Sequence, residues 1–155
     1  MKNKYIYLYN KLIELARDKN LYKDFKKQDE FSDRLIFFLI YFALFFKAFK
    51  NEDNKEILQN IYDFIFRQLE LSIREIGYGD QSINKKMKDY LNLFHEMIDK
   101  FHFWEDLSKD KKEKILQNYI PNSENSTIIL NYFENYLVSL KKNTLNSYIK
   151  SVSRT

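Results

Sequence analysis

The only two histidines of this 155-residue chain, His95 and His102, bracket Asp99. At i, i+4 and i+7 the three share one helix face, so two imidazoles and a carboxylate could converge on a metal ion or a haem iron. Residues at such spacing are more often an ordinary solvated face, so His95, Asp99 and His102 stand as weak candidates and no metal or cofactor is expected. A second cluster, "INKKMKDY", places Lys85, Lys86 and Lys88 close together and reads as the first turns of a helix. Cations there oppose the helix dipole, so the cluster could be an anion or RNA-phosphate patch; a solvated surface is the simpler reading. There is no cysteine, which excludes disulfides, thiolate zinc sites and cysteine nucleophiles. No phosphate loop, dinucleotide fingerprint, nucleophile elbow or HExxH occurs, and the chain is expected not to be an enzyme.

The elements that must carry these residues read as helices, with no convincing strand alternation. Tyr5–Asp18 repeats apolar residues at Tyr5, Leu8, Leu12, Leu15 and Ala16. Residues 19–32 are polar and predict a loop with one short turn. Asp33–Phe49 is hydrophobic nearly all round and should be central. The stretch "NEDN" at 51–54 supplies turn and N-cap residues. Asn54–Ile76 carries a broad stripe through Ile57, Ile61, Ile65, Leu69 and Ile73. Ser82–Phe103 resumes a helix, Ser108–Asn118 forms a short basic one, and Asn125–Val152 reads as a single last helix. The expectation is one all-α domain over residues 1–155, with about six helices around a central apolar pair, Leu35–Phe46 and Ile57–Ile73.

Both glycines of the chain fall within "REIGYGD", residues 74–80. Gly77 directly follows a helix and suits the left-handed residue that closes its last carbonyls. Asp80 or Ser82 could cap the next helix. Gly79 is expected close to another backbone or beside the Asp80 cap. The corner could be a tight structural turn or a functional surface. Arg74 suits a helix C-terminus and Glu75 does not, so Glu75 is expected to hold a specific partner: Arg34, Arg67 or a lysine of the following helix.

Charge and hydropathy narrow the classes further. The net charge is +4: residues 1–50 carry 11 basic against 6 acidic side chains, residues 51–103 carry 7 against 10, and residues 104–155 carry 8 against 6. That balance permits weak attraction to phosphates or anionic lipid and falls short of a nucleic-acid-binding stripe. The longest apolar run, Leu35–Phe46, would span about 18 Å as a helix against a hydrocarbon core of about 30 Å. It reads as a buried or membrane-touching helix. The 14 Phe, 12 Tyr and one Trp suit a core and also a sticky surface.

The stretch "IYDFIFRQLELSIREIGYGDQSINKKMKDYLNLF" resembles the ubiquinol–cytochrome c chaperone family, in which a helix ends at a Gly-x-Gly-Asp corner and a basic pair follows. The matching residues are Asp63, Phe66, Arg74, Glu75, Gly77, Gly79, Asp80, Lys85, Lys86 and Lys88. A second block, Asp29, Phe31 and Arg34, continued by Leu44, Lys47 and Lys50, stands in the same order as in the family, so the motif core covers about residues 29–94. The chain departs from the pattern at Tyr41, where the family often has histidine, at Ile76 and Tyr78 in the corner, and at His95, Glu96 and Met97.

The resemblance implies a non-catalytic assembly chaperone that binds newly made cytochrome b and promotes assembly of the ubiquinol–cytochrome c reductase (bc1) complex. It also implies contacts with a small partner protein and the ribosome. The residues implied to meet client, ribosome or membrane are Arg34, Arg74, Glu75, Gly77, Gly79, Asp80, Lys85, Lys86 and Lys88. The start "MKNKYIYLYN" has no signal-peptide or transit-peptide character, giving the expectation of a bacterial, cytoplasmic protein peripheral to the inner membrane, or of the matrix side if organellar. Two other classes remain beside this one: a peripheral membrane- or RNA-binding helical module, and a haem- or metal-handling protein.

Overall fold

The computed structural model describes residues 3–154. They form seven α-helices: α1 (Ile6–Ala16), α2 (Phe31–Phe49), α3 (Lys55–Glu75), α4 (Asp80–Phe101), α5 (Lys109–Tyr119), α6 (Ser126–Lys141) and α7 (Leu145–Ser153). Short 3₁₀ turns occupy Lys19–Tyr22 and Trp104–Asp106. The helix expected over Asn125–Val152 is two. Asn143 turns the chain, its side-chain amide donating to the Ser139 carbonyl at 3.0 Å, and Thr144 then caps α7 reciprocally with Ser147. A capping box is a strong local start signal, and here it outweighs the continuous apolar periodicity.

Helix α2 is the axis of the molecule. Every residue from Phe37 to Phe45 is at most 2% exposed, so the run is buried on all sides. A helix that is apolar all round needs neighbours all round, and α4, α1 and α6 supply them. Leu35–Phe46 is therefore core and not a membrane-touching surface. Among the described residues no helix is long and apolar enough to cross a membrane. Helix α3 contributes one buried stripe, Leu58, Ile61, Ile65, Leu69 and Ile73. It meets α2 through rings: Phe66 lies 5.8 Å from Phe42, and Tyr62 6.2 Å from Phe46.

The aromatic excess goes largely into this core. Phe94 of α4 stacks on Phe42 at 4.9 Å. Tyr41 sits edge-on to Phe133 and Tyr136 of α6, each at 5.0 Å, and burial pushes its pKa well up. Ring pairs in these offset and edge geometries contribute about 0.5–1.5 kcal/mol each beyond their buried area.

The "NEDN" turn works differently from its expectation. Asn54 makes no side-chain cap to its own helix α3; its amide instead donates to the Phe49 carbonyl at 2.8 Å and closes the end of α2.

Candidate functional site

Gly77 is the one described residue with positive φ, at 108°, and follows Ile76, the C-cap of α3. Its amide donates to the Arg74 carbonyl at 3.0 Å, which satisfies one of the carbonyls a helix end leaves open. Gly79 does not match its expectation. It is extended (φ −73°, ψ 160°) and is itself the N-cap of α4, with open space where a Cβ would point. Asp80 is then the first helical residue, and instead of capping an amide it receives the Arg74 guanidinium. Arg74 also lies 3.9 Å from Glu70. The corner is thus tied across its own mouth by an α3–α4 ion pair.

Because α4 begins at Asp80, the lysines occupy its second and third turns, away from the dipole's positive end. Lys86 lies over the Tyr78 ring at 4.6 Å, a cation–π contact. Lys85 and Lys88 are exposed and have no ion pair among the described residues.

Beside the corner, α1, the start of α2 and the end of α3 enclose a cleft of about 410 Å³. Its floor is Leu35, Phe38, Leu69 and Ile73; exposed Phe31 and Ile76 stand in its wall, and Arg17, Arg34 and Glu75 also line it. Arg34 donates to Asp29 at 2.8 Å. Glu75, expected to hold a partner, has neither an ion pair nor a side-chain hydrogen bond among the described residues and is exposed. Neither Arg34 nor Arg67 reaches it, which moves Glu75 from scaffold to open surface. Within the cleft the Tyr9 hydroxyl shares a 2.7 Å hydrogen bond with Ser72. Burial raises its pKa, the Ser72 bond lowers it, Glu75 raises it and Arg17 lowers it.

The expected site residues therefore fall into three groups. Arg34 and Glu75 share the cleft, Arg74, Gly77, Gly79 and Asp80 build the corner, and Lys85, Lys86 and Lys88 ride on α4. The histidines do not assemble. His95 Nε2 meets the Tyr62 hydroxyl at 3.0 Å, while His102 lies past the end of α4 against Phe103. Among the described residues no group of three or more His, Asp or Glu side chains could hold a metal ion.

Two features escaped the sequence reading. The cleft is one, since its residues come from three separated stretches with no local signature. The other is a clasp joining the loop before α2 to the loop after α5. Phe25 and Ser123 form an antiparallel bridge, Lys26 N–H donates to the Asn122 carbonyl at 2.8 Å, and Glu124 N–H donates to the Asp24 carbonyl at 2.7 Å. The signal available was "PNSEN", turn-forming residues that name no partner.

A family model described as ubiquinol-cytochrome C chaperone matches residues 23–123. The chain belongs to this family. The matched stretch begins and ends at the clasp, where Lys26 N–H meets the Asn122 carbonyl, and contains α2 to α5, the corner and the lysines. It is longer at both ends than the motif core expected at about 29–94. Membership gives the protein a ubiquinol–cytochrome c chaperone role in general, with a respiratory-complex partner. No curated protein and no solved structure matches the chain.

Proposed function

We propose that this chaperone binds newly made cytochrome b and raises the yield of assembled bc1 complex without catalysing a reaction. The observation that carries the reading is the family match over residues 23–123. The geometry is compatible with it: the apolar cleft and exposed Phe31, Leu71, Ile76 and Tyr78 offer surface to a client whose membrane helices are apolar before insertion. The face that meets client, ribosome or membrane is the one carrying Arg34, Arg74, Glu75, Gly77, Gly79, Asp80, Lys85, Lys86 and Lys88. On this reading the protein works peripherally at the inner membrane, on its cytoplasmic or matrix side. A small partner protein and the ribosome belong to the same proposal.

The test is a crosslinked pulldown from the protein's own cells together with a deletion strain. Cytochrome b should be enriched in the pulldown, and assembled bc1 complex should fall in the strain. Normal assembly of cytochrome b under respiratory growth in the deletion strain would sink the reading.

A further inference from the structure

The rim of the cleft carries charge of both signs. Arg17, at the end of α1, has no ion pair among the described residues, and neither has Glu75 at the end of α3. Tyr9, its hydroxyl bonded to Ser72, lines the same cleft. Arg34 is already engaged by Asp29, which leaves Arg17 as the cation open to a ligand. Between these charges the wall is apolar, with Phe31 at 43% and Ile76 at 54% exposure beside Leu35, Phe38 and Ile73. A volume of about 410 Å³ is at the small end of ligand sites, which run from about 300 to 1,000 Å³.

We propose that this cleft seats one amphipathic helix of the client, which inserts large apolar side chains at i and i+3 or i+4 and sets a carboxylate against Arg17 and a cation against Glu75. This rests on the chaperone reading and narrows it to a ligand chemistry and a location.

The walls are helices and the described residues include no strand, so an extended peptide finds no sheet edge to join, whereas a groove between helices takes an apolar helix face. An anionic lipid would satisfy Arg17 but meet Glu75 as an unpaired like charge. A second copy of this chain would bring together two molecules of net charge +4, which repel on approach.

The experiment places a photocrosslinking benzoylphenylalanine at Ile76 or Phe31 of the full chain in its own cells. Val138 serves as control, being 53% exposed on α6 and outside the cleft. The expected result is at least tenfold more protein adduct from positions 31 and 76 than from 138. Mass spectrometry should map it to a helical segment with apolar residues at i, i+3 or i+4 and charges of both signs. Glu75→Lys and Arg17→Glu should each lower that yield severalfold with the circular dichroism spectrum unchanged. Equal yields from all three positions, adducts to lipid, or adducts to a second copy of this chain would overturn the proposal. The two readings fail separately. Cytochrome b enriched in the pulldown with no cleft adduct removes this inference and leaves the client assignment. A cleft adduct to an amphipathic helix of another protein keeps the cleft and removes cytochrome b as its occupant.

Discussion

Asn122 binds the backbone of Lys27 in both directions. Its side-chain oxygen accepts from the Lys27 amide at 3.3 Å and its side-chain nitrogen donates to the Lys27 carbonyl at 3.3 Å, with Asp33 a further acceptor at 3.4 Å. Only 8% exposed, it joins loops 95 residues apart in sequence and holds the start of α2 against the end of α5.

Removing that side chain frees two backbone groups and part of the Asp33 carboxylate. Asn122→Ala should therefore destabilise by about 1 kcal/mol, the usual net contribution of such hydrogen bonds, since the Lys27 groups it leaves lie at an exposed residue and can turn to water. Asn122→Asp should be worse at neutral pH, since it sets a second carboxylate beside Asp33. Urea denaturation of the three proteins checks both.

The two corner glycines should behave oppositely. Gly77→Ala forces a side chain into φ 108° and should destabilise by more than about 1 kcal/mol. Gly79 has ordinary φ, open space at Cβ and the N-cap position, so Gly79→Ser should be neutral or stabilise by a few tenths of a kcal/mol. Equal destabilisation by both substitutions would contradict this geometry.

Glu105 sits between Lys47 and Lys141, 2.8 Å from each. Burial pushes its pKa up, but hydrogen bonds from Lys141 and Lys47 outweigh that and bring it down to about 2 from 4.5. A depressed carboxylate stabilises the fold above its unfolded pKa, and that contribution is lost as pH falls from about 4.5 toward 2. Glu105→Gln should lower stability at pH 7 by about 1 kcal/mol at most, since the carboxylate is partly exposed and screened. The gap between the two proteins should narrow below about pH 4.5 and close only as the pH falls through about 2, as measured by denaturation across that range.

Lys85 and Lys88 lie beyond the first turn of α4, so glutamates there gain little from the dipole. Lys85→Glu/Lys88→Glu should leave helix content and melting temperature nearly unchanged and weaken association with client, ribosome or membrane. Lys86 is kept, because its contact with Tyr78 is structural as well as electrostatic. Undiminished co-purification of partners with the double variant would remove these two lysines from the binding face.

The tertiary structure corrected local expectations wherever a choice depended on distant residues. Asp80 could cap α4 by its type alone, yet Arg74 across the corner claims it. Glu75 needed a partner by helix-dipole reasoning, but Arg34, one of the residues offered, pairs with Asp29 instead. His95 shares helical spacing with Asp99 and His102, but its ring is taken by Tyr62 and the helix ends before His102.

The helical class, the burial of α2, the stop at Gly77 and the family were legible in the residues alone. Apolar period, an all-round hydrophobic run, a glycine after a helix and the spacing of Arg74, Gly77, Gly79 and Asp80 are all written within a few dozen residues. The clasp, the cleft and the ion pairs that set each charged side chain's direction were decided only in three dimensions. Each joins stretches far apart along the chain, and a residue's type says which bonds it can make, while packing decides which partner comes within reach.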